Sequence, residues 1–258
     1  MTVRGVLSTA PAGFVTDLDG TLAPIVERAD AARLTPGAAD LLAEMTGILA
    51  VVAVVTGRSA AVARAILGPI GPELLIVGNH GLEWLPPGAD EPESSADEPQ
   101  IRASLSAGLN QIPLLDGVTV EDKGLSATLH YRGARDAEAT RAQLLAALRQ
   151  VPAGLEVREG RRSVELRPTG YGDKGHALAR IAERYRLRGL LVAGDDVTDI
   201  DMFRAADVLR GRGLAILAVA VAGGSEVPRD VADAAEATVA SPESLINLLQ
   251  AGVAPRIS

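Results

Sequence analysis

The chain has 258 residues, 47% of them apolar but only 2% aromatic, so its core has to be built from Ala, Val, Leu and Ile. With no cysteine, disulfides, thiol catalysis and thiolate metal sites are excluded, and three scattered His make a zinc site a poor expectation. A formal net charge of −8 argues against a general nucleic-acid or anionic-membrane surface, so an anionic substrate would have to be held by locally placed cations.

The length suits one large α/β domain, or a core with a smaller inserted domain. Met1 to Ala12 carry one Arg and no sustained apolar stretch, so no signal peptide is expected. The most apolar run, Gly213 to Gly223, is too short to span a bilayer and reads as a buried strand. The expectation is a soluble, cytoplasmic protein.

Gly13 to Thr16 favour a strand, and Asp17-Leu18-Asp19-Gly20-Thr21-Leu22 follows where that strand would end. Extended residues at i and i+2 point the same way, so the carboxylates of Asp17 and Asp19 face one spot. Gly20 lets the backbone turn. Two crowded carboxylates repel, and a cation relieves them. Asp17 then suits a nucleophile and Asp19 a proton donor and acceptor, with covalent catalysis through an aspartyl-phosphate. The plainer alternative is a turn, since Asp and Gly are common turn residues. The stretch resembles the first motif of the haloacid dehalogenase (HAD) superfamily of phosphatases and phosphotransferases.

Ala23 to Asp30 reads as a small irregular flap. Thr35-Pro36 is expected to open a helix that stops at Gly47. Ile48 to Val55 is an unbroken apolar run, as in a parallel strand covered on both faces. It ends in Thr56-Gly57-Arg58-Ser59, where a hydroxyl, a Gly-bracketed backbone and a helix start make a phosphate cradle to which Arg58 adds charge. Helix capping explains Thr56 and Ser59 equally well. A helix from Ser59 to Gly68 and a strand at Leu74 to Val77 complete an alternation typical of a doubly wound sheet.

Pro86 to Pro99 is rich in Pro, Glu, Asp and Ser and reads as a mobile linker. From Ile101 the pattern is helix, two strands, helix, two strands. Val118 to Glu121 and Leu125 to Arg132 flank a turn at Lys123-Gly124. Asp136 to Gln150 is an amphipathic helix, and Leu155 to Arg158 pairs with Ser163 to Arg167 around Gly160. This predicts an α+β insert with an antiparallel sheet. The expected division is a core at 1–98 and 170–258 and an inserted cap at 99–169.

Asp173 caps the next helix, ending near Gly189. Lys174, at its start, opposes the helix dipole, which a compensating anion would explain: the phosphate and Asp17. A solvent-exposed Lys is the alternative. Leu190 to Ala193 is a strand ending in Gly194-Asp195-Asp196-Val197-Thr198-Asp199, with Thr198 opening a helix. Ligands bind beyond the carboxyl ends of strands in such sheets, so Asp17, Thr56 and Asp195 can converge. Asp195, Asp17 and the backbone carbonyl of Asp19 would complete a Mg²⁺ site, while a helix start alone would account for one or two of these acids. Strands at Ala215 to Val221 and Ala237 to Val239 and a helix from Ser241-Pro242 close the chain.

The order Asp17-x-Asp19, Thr56, Lys174, Asp195-Asp196 matches the four HAD motifs. Asp17 to Ile25, Gly78-Asn-His-Gly-Leu-Glu83, Val120 to Ser126, His130-Tyr-Arg132, Val164 to Pro168 and Gly194 to Asp199 further resemble the trehalose-6-phosphate phosphatase family, over about residues 13 to 250. The resemblance implies a HAD-like, Rossmannoid core with a mobile inserted cap, Mg²⁺, and hydrolysis of trehalose 6-phosphate to trehalose and phosphate. Glu121, Lys123 and Glu165 would hold sugar hydroxyls, with His80 and Arg132 assisting and Asp196 and Asp199 supporting. On composition alone, Glu121, Lys123 and Glu165 are solvated strand faces. Two positions depart from the family: Leu18 where Tyr is common, and Ile200 where an acid is common. They leave room for another sugar or pseudo-disaccharide phosphate as substrate. A sugar phosphotransferase or mutase on the same core, and a non-catalytic sugar-phosphate sensor, are the competing readings. A phosphatase predicts a small-molecule sugar phosphate as partner, and neither nucleic acid nor membrane.

Overall fold

The computed structural model describes residues 1–26, 28, 31–93, 97–160, 162–169, 173–223 and 229–253. The chain divides into two compact units: Met1–Glu93 with Gly172–Ser258, and Ser94–Tyr171. Residues 27, 29 and 30 of the expected flap, 94–96 of the expected linker and the expected boundary at 170 lie outside the described residues.

In chain order, helix α1 (Val3–Leu7), capped by Thr2, is too short for an apolar repeat to announce it. Strand β1 (Ala12–Thr16) is buried throughout. Helix α2 (Ala38–Thr46) starts later than Thr35-Pro36 predicts: Gly37, at φ 81°, occupies the cap position. Thr35 lies in the preceding turn, where its carbonyl accepts from the Ala38 N–H. Strand β2 (Val51–Val55) is shorter than the apolar run, because the N–H groups of Ile48 and Leu49 bond back to the Met45 carbonyl and finish α2. Helix α3 (Ala60–Leu67) is capped by the Ser59 hydroxyl, which accepts from Val62. Strand β3 (Leu75–Gly78) follows, and strand β4 (Glu83–Leu85) pairs antiparallel with it.

The linker read from composition is tied down where it is described. Glu93 donates its N–H to the Trp84 carbonyl, and its carboxylate pairs with Arg184 at 2.9 Å and Arg180 at 3.5 Å. Arg180 also stacks its guanidinium 4.0 Å from the Trp84 ring centre.

The inserted unit contains α4 (Glu98–Leu109), β5 (Thr119–Asp122), β6 (Ala127–His130), α5 (Ala137–Ala147), β7 (Leu155–Gly160) and β8 (Ser163–Pro168). Its four strands pair antiparallel in the order β5-β6-β8-β7. Leu129, Val164 and Leu166 pack with Leu105 of α4 and Leu144 of α5 in a separate core.

The chain returns through α6 (Lys174–Arg184), which stops short of Gly189 because Arg186 takes a left-handed φ of 51°. Strand β9 (Gly189–Gly194) ends at the acidic run. Asp196, rather than Thr198, opens the next element: it caps a 3₁₀ turn, Val197–Asp199, that leads into α7 (Ile200–Gly211). Strand β10 (Ala215–Val221), helix α8 (Arg229–Asp233), strand β11 (Ala237–Val239) and helix α9 (Pro242–Val253) complete the chain. Among the described residues no helix is long and apolar enough to cross a membrane.

The large sheet has seven strands in the order β11-β10-β9-β1-β2-β3-β4, all parallel except β4. Side chains alternate between its faces, so both faces bury apolar residues. Phe14, Val52, Val54 and Leu191 pack with α1, α2, α3 and α9. Val15, Val51, Ala53 and Val192 pack with Leu178 and Ile181 of α6 and Phe203 of α7 on the other face. This is the doubly wound α/β arrangement.

Phe203 is one of the largest fully buried side chains in a core with few aromatics. Phe203→Ala should lower the unfolding free energy by about 3–5 kcal/mol in urea titration. A loss under about 1 kcal/mol would mean the second layer collapses around the gap or is not packed as described.

Candidate active site

Strands β9, β1 and β2 lie side by side and parallel, so their carboxyl ends deliver Asp195, Asp17 and Thr56 to one edge of the sheet. The Asp17 N–H bonds to the Ala193 carbonyl at 2.9 Å, extending the β1–β9 ladder to the residue that carries the carboxylate.

Lys174 joins the two sides of this edge. Its ammonium donates to Asp17 Oδ1 and to Asp199 Oδ1, each at 2.7 Å. All three groups are buried. Asp199 uses its other oxygen to accept from the N–H groups of Asp195 at 2.9 Å and Asp196 at 3.0 Å. These bonds support Asp199 without any group from Ile200. Asp173 caps α6 through the His176 N–H at 3.0 Å, which fixes the turn that aims Lys174 inward. Burial works against the ammonium, but Asp17 and Asp199 more than offset it and hold its pKa above the ordinary value.

One ammonium cannot balance the carboxylates around it. Burial pushes Asp17 well above the ordinary carboxylate range; Lys174 pulls it back, and Asp199 and Asp195 add to the rise. Burial and Asp199 push Asp195 up to about 7, although Thr21 donates its hydroxyl to Asp195 Oδ1 at 2.8 Å. Thr21 is a site residue to which the sequence reading gave no role. Its only signal was its place in the Asp-Gly-Thr stretch.

Asp17, Asp195 and Asp199 each offer a carboxylate oxygen within 4.8 Å of the others. Asp199 is already committed to Lys174 and two backbone N–H groups, which leaves Asp17 and Asp195 as the side chains suited to a cation. Hard, buried, under-compensated carboxylate oxygens fit a divalent cation of the magnesium class. Gly20 keeps this space open: it turns at φ 85°, and a Cβ there would collide with the Asp195 carboxylate.

Asp19 has a different partner. Arg58 donates from Nε to Asp19 Oδ2 and from Nη2 to Oδ1, both at 2.6 Å, in a bidentate pair. Thus Arg58 reaches from the Thr56-Gly57-Arg58-Ser59 loop to the proposed proton-transfer group. Within the loop the Arg58 N–H donates to Thr56 Oγ1 at 3.2 Å. His80 follows β3, with its ring against Gly57. Asp196 faces outward and caps the 3₁₀ turn through the Val197 N–H at 2.7 Å.

In the inserted unit, Glu121, Thr128 and Glu165 are register partners across β5, β6 and β8. Partners in a pleated antiparallel sheet share a face, so Glu121 and Glu165 point the same way. Lys123 Nζ lies 3.7 Å from Glu165 Oε1, and His130 Nε2 lies 2.9 Å from Glu121 Oε2. Arg132 is exposed in the turn after β6.

A family model described as trehalose-phosphatase matches residues 15–234. The chain is 37% identical over 222 residues to an uncharacterised glycosyl hydrolase of Mycobacterium tuberculosis, covering 80% of this chain and 16% of that protein. It is 33% identical over 222 residues to a trehalose-phosphate phosphatase of Mycobacterium bovis, covering 83% of this chain and 55% of that protein. The chain therefore spans about half or less of the length of these curated relatives. The C-terminal domain of a Candida albicans trehalose-6-phosphate phosphatase superposes with a TM-score of 0.71 at 20% identity, covering 97% of this chain and 96% of that one. The fold is thus the HAD-like α/β fold.

Lys174→Met should destabilise the fold by about 3–5 kcal/mol in denaturant titration with chelator present, because it strands buried carboxylates. Adding Asp199→Asn should recover part of that loss, as expected for partners in one network. A single variant as stable as the parent would show that the ammonium does not hold this cluster together.

Proposed function

Because the chain belongs to the trehalose-phosphatase family, we propose that it is a phosphoric monoester hydrolase acting on trehalose 6-phosphate, through an aspartyl-phosphate formed on Asp17. The observation that carries this reading is the buried Lys174–Asp17 contact at 2.7 Å beside Asp195, at the end of the central strands.

In the first step a carboxylate oxygen of Asp17 attacks phosphorus, and the bond from phosphorus to the sugar oxygen breaks. Asp19 gives a proton to the departing alkoxide. In the second step Asp19 takes a proton from water, whose oxygen attacks phosphorus and releases Asp17 and inorganic phosphate. Lys174 fixes the orientation of Asp17 by holding Oδ1. The Thr56 hydroxyl and the Gly57 backbone N–H would hold phosphoryl oxygens, with the Arg58 guanidinium adding charge. Arg58 occupies both oxygens of Asp19, so proton delivery requires that pair to open. An arriving phosphate dianion competes for the same guanidinium and favours the opening.

Mg²⁺ held by Asp17, Asp195 and the Asp19 carbonyl would neutralise the facing carboxylates and stabilise charge on the phosphoryl group. Recognition of the sugar would fall to the inserted unit, where Glu121 of β5 and Glu165 of β8 share a sheet face and Lys123, in the turn after β5, reaches Glu165. A phosphatase for a related sugar phosphate is the second reading, for which the departures at Leu18 and Ile200 leave room.

Asp17→Asn should abolish turnover while the far-ultraviolet spectrum stays unchanged, and Asp19→Asn should slow it by about 10²–10⁴-fold. Substantial phosphate release by Asp17→Asn, without deamidation, would remove the covalent mechanism.

Substrate choice has its own test. Glu121→Ala, Lys123→Ala and Glu165→Ala should each lower kcat/KM for trehalose 6-phosphate by about tenfold to a hundredfold, the worth of a charged hydrogen bond. Hydrolysis of a small aryl phosphate should change little. A parallel fall in both activities would mean these side chains do not read the sugar.

A further inference from the structure

The phosphate-cradling loop after β2 is held from one side by the turn after β3, and that turn has an unusual backbone. Asn79, His80 and Gly81 take φ of 49°, 56° and 120° in succession. Left-handed geometry is uncommon for any residue but glycine, and although Asn and His take it more often than most, two in succession need neighbouring contacts to hold them. Asn79 is buried and donates its side-chain amide to Glu83 Oε1 at 2.7 Å. Glu83 Oε2 accepts the N–H of Ala60, the first residue of α3, at 2.6 Å. The Asn79 N–H donates to the Arg58 carbonyl at 2.8 Å, and the His80 N–H to the Thr56 carbonyl at 2.9 Å. A Cβ on Gly78 would collide with the Ala60 nitrogen and come within 2.9 Å of the Arg58 carbonyl oxygen, so the two backbones meet with no side chain between them.

We propose that Asn79 and Glu83 are positioning residues that latch this turn onto the Thr56–Ala60 segment and so set the geometry of the phosphate cradle. The inference rests on the phosphatase reading of that loop. The Glu83 carboxylate ties the amide of Asn79, at the start of the strained turn, to the first N–H of α3. That bond consumes a helix-start N–H and fixes where the Thr56 hydroxyl and the Gly57 and Arg58 backbone come to lie. Neither Asn79 nor Glu83 touches the substrate in this account. Each acts by keeping the cradle preorganised, and small displacements of positioning groups carry large penalties.

The test measures inorganic phosphate affinity by calorimetry with Mg²⁺ present, together with kcat and KM for an aryl phosphate, on the full chain. Glu83→Ala should raise both the phosphate Kd and KM by about tenfold or more. Glu83→Gln should recover most of this: its carbonyl oxygen can accept from Ala60, and the Asn79 amide can flip to accept from the new NH₂ group. Asn79→Gly is the second variant, because glycine keeps the left-handed backbone at little cost while removing the bond to Glu83. It should also weaken phosphate binding, with the thermal midpoint close to the parent's. If Glu83→Ala and Asn79→Gly bind phosphate within about twofold of the parent, the pair is only a structural strut and the inference is overturned. A parent chain that neither binds phosphate nor hydrolyses a monoester would remove the phosphatase reading and this inference with it.

Discussion

The bond from Lys174 to Asp17 and Asp199 is the constraint on which the site depends. It ties the end of β1 to the turn after β9 through the first residue of α6. A buried ammonium is tolerated there because two carboxylates face it, and the buried carboxylates are tolerated in part because it is present. The same balance is incomplete: Asp195 adds a charge that Lys174 does not contact. A site with one surplus carboxylate and hard oxygen donors is prepared for a cation and, through that cation, for an anion. The raised pKa values of Asp17 and Asp195 and the site's fitness for a cation have one electrostatic origin.

The cluster also orders the labour of its carboxylates. Asp17 and Asp195 are the carboxylates left for a cation, Asp199 is spent on support, and Asp196 caps a turn. Asp19, two residues from Asp17, is kept apart from the cluster by Arg58. The guanidinium that looks from sequence like a phosphate ligand is therefore also the partner of Asp19, the proposed proton-transfer group. Both roles can hold in one catalytic cycle, since binding a dianion offers Arg58 a competing partner.

Much of this was legible from residues alone, for identifiable reasons. The Asp17-x-Asp19 spacing after an apolar strand marks where the site lies, but it does not place both carboxylates at one spot: β1 ends at Thr16, and Asp19 turns to Arg58 while Asp17 joins Asp195 and Asp199. Lys174 stands out because a cation at a helix start is electrostatically misplaced unless an anion faces it. The apolar runs at Val51 and Ala215 report a sheet covered on both faces. What escaped was set by tertiary contact or by local turn chemistry. Nothing near Arg58 announces a partner in a separate motif, and nothing near Thr21 announces Asp195. The start of α2 was misplaced because Thr35-Pro36 is a good helix opening that Gly37, in left-handed geometry, overrides. The Pro- and Glu-rich stretch looked unstructured by composition, yet Glu93 is held by Arg184 and by the Trp84 backbone.

The central claim is that Asp17 becomes phosphorylated. Borohydride reduces an aspartyl-phosphate to homoserine, so quenching the enzyme with it during turnover and sequencing the peptides by mass spectrometry reads the intermediate directly. The account predicts homoserine at position 17, dependent on substrate. Steady turnover with no reduced residue, or with homoserine at position 19 instead, would contradict it.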